Sequence, residues 1–424
     1  MDIDNNNGPK RRRTDSNNFN RDNRPRKKVK DDDDIIRYML DEYSDSDDDE
    51  YPNNTKCPNP LCDHKPLQKG EVAKKVDMVK EINTIEDLIT LGKTYHCKRN
   101  TLYYGLDLKI LYNLVEPLTK LSKMVGMKNV KENMVNQIVF FLQGFDKKDK
   151  CGECMNCINK RPCTVKDENL KHVVIYGGPG IGKTELGKIL AGVYKGMGLL
   201  SKGNFVVANR SDLVGEYLGH TAAKTDRFFR GTKLTTGGRK DGNIGNVVFL
   251  DEFYQFADTE HRDSFSKECL DMINQILTEE KDLLVIVAGY KDAIEKCIFP
   301  VNQGLARRFP FVYELEKYTS EELKEIFLLK INNCGWKINM DMKKLSEFFS
   351  DNLSNFPFFG GDVETFLLKC KIVHGKRIFH DQSQKKVLTE GDINKGFEIF
   401  KTHRVSEATD MNNLDYDGIY MLEE

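Results

Sequence analysis

The sequence predicts an α/β fold in which a parallel sheet, buried on both faces, carries a phosphate-binding loop. Three observations predict it. Val173 to Tyr176 form an apolar or aromatic run without alternation, as a strand covered on both faces requires. That run breaks into Gly177-Gly178-Pro179-Gly180-Ile181-Gly182-Lys183-Thr184, and then into TELGKILAGVY with Leu186, Ile189, Leu190 and Val193 at helical spacing. Further apolar strand-like runs follow, at 204–209 (NFVVAN), 246–250 (NVVFL) and 283–289 (LLVIVAG).

Each residue type in the glycine-rich loop has a physical task. Glycines let successive backbone N–H groups curl round an anion, and the helix that starts there adds its positive dipole end. Lys183 is expected to reach the β- and γ-phosphates and the Thr184 hydroxyl to ligate Mg²⁺. The run at 246–250 ends in Asp251-Glu252. At such a strand end Asp251 can hold Mg²⁺, directly or through water, and Glu252 can orient and deprotonate the attacking water. Two adjacent carboxylates after an apolar strand decide little alone. Between a phosphate loop and another apolar strand they carry weight.

A chain of 424 residues suggests two or three domains, and 39% hydrophobic with 31% charged residues leaves room for polar tails. The net charge of −1 provides no global field for nucleic acid or membrane. No apolar run is long enough to span a bilayer, and no apolar leader follows MDIDNNNG, so a soluble intracellular protein without membrane contact is expected.

Residues 1–55 read as a disordered charged arm, rich in Asn, Asp and Arg. Its basic clusters, Lys10 to Arg13 and Arg24 to Lys30, resemble a bipartite nuclear-localisation signal, so a cytoplasmic or nuclear site is expected. The alternative is a solvated polyampholyte, since Asp31 to Asp34 and Asp45 to Glu50 follow. Residues 56–113 read as a small module of unknown fold, in which Cys57, Cys62, His64, His96 and Cys97 have irregular spacing for a metal site. From Leu114 the pattern turns helical. Then Cys151, Cys154, Cys157 and Cys163 place four thiols within thirteen residues among Lys, Asn and Asp. That spacing suits an all-thiolate structural zinc site, with an Fe–S cluster or unligated thiols as alternatives. Residues 234–245 (LTTGGRKDGNIG) read as an exposed loop.

With these residues in place the chain resembles the AAA+ superfamily, and within it the CbxX/CfxQ branch of red-type rubisco activases. The resemblance runs from about Leu114 to Arg404 and is most specific in GLLSKGNFVVANRSDLVGEYLGHTAAKT, supported by DSFSKECLDMINQILTE, LLVIVAGYKDAIEKCI and NQGLARRF. It implies a P-loop doubly wound parallel sheet (the AAA+ module, 114–315, with the cysteine insertion at 151–163) followed by a helical lid (316–404) and an acidic tail (405–424). It implies ATP as the nucleotide, with Val125 and Gly126 at the adenine and the residues from Gly177 to Thr184 on the phosphates. Arg308 corresponds to an arginine finger acting on a neighbouring subunit, with Arg307 as the second candidate. Tyr217-Leu218-Gly219 corresponds to the loop lining a central pore. The sensor position that follows the fourth strand falls at Gly289 or Tyr290, with Tyr290 the assigned residue, and the lid's sensor arginine has no counterpart, since FFGGDVETF offers Gly361, Asp362 or Glu364 instead.

A finger acting between subunits implies a homo-oligomeric ring, expected to be a hexamer. The expected function is Mg-dependent ATP hydrolysis driving the remodelling or threading of a protein substrate. Two alternatives stand beside it: a motor or loader acting on nucleic acid, and a nucleotide-gated scaffold with little hydrolysis. Thr319 to Glu322 is expected to cap the first lid helix.

Overall fold

The computed structural model describes residues 74–76, 81–94, 101–103, 108–143, 171–217, 219–233, 239–256, 264–300, 302–380 and 384–412. All of them belong to one compact unit, Cys57–Glu424. The charged arm, the four cysteines from Cys151 to Cys163, the residues Cys57, Cys62, His64, His96 and Cys97, and Leu218 lie outside the described residues.

Five parallel strands form the central sheet: β1 (Val173–Tyr176), β2 (Phe205–Ala208), β3 (Val247–Leu250), β4 (Leu284–Gly289) and β5 (Phe311–Glu314), in the order β2-β3-β4-β1-β5. Every residue of β1, β3 and β4 is buried, which is why their apolar runs do not alternate. Alternate side chains enter two separate cores. Val173, Ile175, Val247, Phe249, Leu284 and Ile286 point to one face, and Val174, Tyr176, Val248, Leu250, Val285 and Val287 to the other.

Helices α1 (Ile85–Gly92), α2 (Leu108–Ser122), α3 (Lys128–Leu142) and α4 (Lys183–Gly196) share the first core. Helices α5 (Thr221–Arg230) and α6 (Ser264–Glu279) cover the second. The first core extends N-terminal of residue 114: Ile85, Leu88 and Leu111 are buried in it, because the apolar spacing of Leu111, Leu114, Leu118 and Leu121 makes one continuous face of α2. A buried hydrogen-bond chain ties the helices to the sheet. Tyr313 donates its hydroxyl to Gln137 Oε1, and Gln137 Nε2 donates to Tyr194, both at 2.5 Å. The stretch expected to be an exposed loop at 234–245 contains Arg239–Lys240 paired antiparallel to Thr232–Lys233, and it turns inward after Asp241, with Ile244 half-buried and Gly245 buried.

Four further helices follow the sheet: α7 (Ser320–Asn333), α8 (Met342–Asp351), α9 (Phe359–Arg377) and α10 (Glu390–Asn412). The expected cap of α7 is present. Thr319 Oγ1 accepts from the Glu322 N–H at 3.3 Å, and Glu322 Oε2 accepts from the Thr319 N–H at 2.8 Å. Leu323, Ile326 and Phe327 are buried, and the Phe327 ring meets those of Phe349 and Phe366 in an aromatic cluster that includes Phe356 and Phe397. Helix α10 continues past residue 404 to Asn412. Among the described residues no helix is long and apolar enough to cross a membrane.

Candidate functional site

The phosphate loop leaves β1 and hands over to α4 at Lys183, with Gly182 in a left-handed conformation (φ 101°) that a side chain would resist. The Gly177 N–H donates to the Gly289 carbonyl at 3.1 Å, fastening the loop to the end of β4. Lys183 Nζ donates to the Gly177 and Gly178 carbonyls at 3.0 and 2.8 Å. Burial holds the Lys183 ammonium below the ordinary lysine range, against the opposing pull of Asp251 and Glu252.

Parallel register brings the carboxylates to the same end of the sheet. Leu250 of β3 pairs with Val287, and Gly289 of β4 pairs with Tyr176, so Asp251, Tyr290 and Gly177 all emerge along one edge. The Thr184 hydroxyl lies 3.4 Å from Asp251 Oδ2, and Asp251 Oδ1 accepts the Glu252 N–H at 3.0 Å. Glu252 is exposed and has a positive φ of 49°. Its Oε2 accepts hydrogen bonds from the Tyr254 hydroxyl and from Gln255 Nε2, the latter at 3.2 Å. Tyr290 lies between the two halves of the site, its ring 5.6 Å from that of Tyr254 and 6.0 Å from the Lys183 ammonium.

The turn at Val125 and Gly126 reaches the same place. Met127, the next residue, has its terminal methyl 3.3 Å from where a Gly182 Cβ would stand, and a Cβ on Gly126 would stand 3.3 Å from the Tyr318 ring. Tyr318 in turn donates its hydroxyl to the Ile181 carbonyl at 2.9 Å. The start of α9 closes the site from above, where the segment from Phe358 to Gly361 runs backbone against backbone along Gly180. This segment, where the sequence offers no sensor arginine, makes its close approach through Gly360 and Gly361.

The remaining candidates lie elsewhere on the unit. Tyr217 is 67% exposed, its ring edge-on to that of His220 at 5.6 Å. A Cβ at Gly219 would meet nothing within 4 Å. Arg308 is half-buried and donates Nε to Thr278 Oγ1 at 3.0 Å, while Arg307 is exposed. Among the described residues no cluster of three or more His, Cys, Asp or Glu could hold a metal ion.

Sequence reasoning missed Tyr254, Gln255 and Tyr318. Their contacts cross turns or connect separate elements, which periodicity does not encode. The Gly360-Gly361 pair at a helix start was a readable signal of close backbone approach.

A five-stranded parallel sheet of this order, with a phosphate loop after β1, carboxylates after β3 and a helical subdomain over the loop, defines an AAA+ ATPase. The family model described as the ATPase family associated with various cellular activities (AAA) matches residues 173–315. A cfxQ-like protein of Acanthamoeba polyphaga mimivirus is 33% identical over 390 residues, covering 90% of this chain and 89% of that protein. The chain belongs to the CbxX/CfxQ branch of the AAA+ ATPases. The chloroplastic ribulose bisphosphate carboxylase/oxygenase activase of Cyanidioschyzon merolae is 28% identical over 225 residues, or 52% of this chain and 72% of the relative. Among solved structures, the FIGL-1 AAA domain in complex with ADP is 15% identical, with a TM-score of 0.42, and the match covers 68% of this chain and 89% of that domain.

Proposed function

We propose that this chain is a Mg-dependent ATP-hydrolysing machine that works as a homo-oligomeric ring, with a hexamer the favoured size, and remodels a protein substrate drawn through its pore. The observation that carries the reading is Tyr217, a large aromatic 67% exposed on a turn of the nucleotide-binding unit. An exposed tyrosine presents an amphipathic face that grips varied side chains, as a non-selective threading device requires. The residues Gly177 to Thr184 hold the phosphates and Val125 with Gly126 the adenine. The Thr184 hydroxyl and Asp251 carboxylate, 3.4 Å apart, are hard oxygen donors that suit Mg²⁺. That ion, when bound, offsets the charge of the phosphate oxygens. Glu252 orients the attacking water and takes its proton. Arg308 reaches the phosphates of the next subunit, which requires its guanidinium to exchange the Thr278 contact for the neighbour's nucleotide. Tyr290, beside Lys183 and Tyr254, senses the nucleotide.

A Glu252→Gln substrate trap tests this. The amide keeps the shape of the side chain but cannot take a proton, so turnover falls by about 10²–10⁴-fold while ATP still binds. A protein captured by Glu252→Gln in the presence of ATP, and lost when Tyr217 is also changed to Ala, supports threading. ATPase stimulation by nucleic acid, weakening steeply with salt, contradicts it and favours the nucleic-acid motor.

A further inference from the structure

A catalytic carboxylate at the end of an exposed, three-bond side chain loses rate whenever it points away from the reacting water, since small misplacements cost about 10²-fold. Glu252 is such a side chain, exposed on a residue with an uncommon positive φ of 49° just past the end of β3. Both of its side-chain hydrogen bonds, from Tyr254 and Gln255, end on Oε2. Among the described residues Oε1 accepts none. Tyr254 is itself held: its half-buried ring lies 5.6 Å from Tyr290 at an interplanar angle of 48°. Burial and the adjoining Glu252 carboxylate push the Tyr254 phenol far above its ordinary range, so its hydroxyl remains a donor throughout physiological pH.

We propose that Tyr254 is a positioning residue for ATP hydrolysis, its hydroxyl pinning Glu252 Oε2 so that Oε1 is presented to the attacking water. The inference rests on the reading of Glu252 as the base. It goes further by naming the group that aims it. Gln255 reinforces the same oxygen, as the weaker, neutral amide donor. Tyr290 braces the Tyr254 ring and lies near the Lys183 ammonium, so the brace and the phosphate loop meet at one aromatic pair.

Tyr254→Phe tests it on the full-length chain, because phenylalanine keeps the ring and removes only the hydroxyl. The expected result is a fall in kcat of about 10-fold or more, with ATP affinity within twofold of wild type and an unchanged melting midpoint. Placed on a Glu252→Gln background, Tyr254→Phe is expected to lower the residual rate no further, since the hydroxyl acts only through the carboxylate. Three outcomes overturn the inference: an undiminished kcat, a loss that adds fully on the Glu252→Gln background, or a loss of kcat that comes with a lowered melting midpoint. If Glu252→Gln itself turns over at the wild-type rate, the assignment of the base fails instead. The two failures are therefore distinguishable.

Discussion

Replacing Gly180 by alanine tests how the helical subdomain meets the phosphate loop. Gly180 has a φ of +69°, where a side chain costs about 1–2 kcal/mol. A Cβ there would stand 2.1 Å from the Phe358 carbonyl oxygen and 3.1 Å from the Gly361 nitrogen, both backbone atoms with no rotamer to yield. The start of α9 must then withdraw, and overpacking of this kind costs a further 1–3 kcal/mol or so. Together these amount to roughly 2–5 kcal/mol, enough to lower the melting midpoint of a unit this size by about 3–8 °C. Gly178→Ala is the internal comparison, because a Cβ at Gly178 meets nothing within 4 Å. Its midpoint is expected to stay within about 2 °C of wild type. Differential scanning calorimetry of the three proteins is the assay, with fluorescent ADP binding as a second readout. Gly180→Ala is expected to weaken ADP binding by at least tenfold, the equivalent of about 1.4 kcal/mol. Equal midpoints for Gly178→Ala and Gly180→Ala would refute the seating of α9 on the loop.

Three further substitutions test other parts of the account. Tyr217→Ala is expected to leave stability within about 0.5 kcal/mol and basal ATPase within threefold while abolishing substrate remodelling, since the ring is exposed; remodelling that survives discards the pore reading. Arg308→Ala is expected to lose about 10³-fold in turnover yet bind ATP, and mixing it with Lys183→Ala protein is expected to restore part of the rate. Undiminished turnover would transfer the finger to Arg307. His172, buried with Nδ1 accepting the Val285 N–H at 3.1 Å, is driven down to about 3 chiefly by burial. The unfolded chain therefore binds a proton between about pH 6.5 and 3 that the folded chain refuses, so this group's contribution to stability is lost as pH falls through that window. Urea titrations of wild type and His172→Gln are expected to differ in slope by as much as about 1.4 kcal/mol per pH unit there, and parallel curves would count against the buried neutral imidazole.

Much of the nucleotide-binding end was legible because its signals are local. Continuous apolar runs marked β1, β3 and β4, and the register of a parallel sheet then brought Gly177 to Thr184 and Asp251-Glu252 to one edge. The cap at Thr319 was readable from four consecutive residues. What escaped was the contact between elements. Nothing in FYQF marks Tyr254 as a partner of Glu252, because the contact is made within a turn that has no periodic pattern. The absence of a basic residue near Gly361 gave no sign of the backbone contact that the segment from Phe358 to Gly361 makes with Gly180. The residues before 114 that join the first core escaped for a related reason. Leu111 continues the face of Leu114, Leu118 and Leu121, and α1 packs against that helix across Gly92, where a Cβ would meet the Leu111 carbonyl at 2.6 Å.

The central claim is that Lys183, Asp251 and Glu252 hydrolyse ATP in an assembly whose subunits complete one another's sites. Steady-state phosphate release with Mg-ATP, followed against protein concentration, tests it most directly. The account predicts turnover per chain that rises as subunits associate, requires Mg²⁺, and vanishes in Lys183→Ala. Turnover per chain independent of concentration, or indistinguishable from the Lys183→Ala background at every concentration, contradicts it.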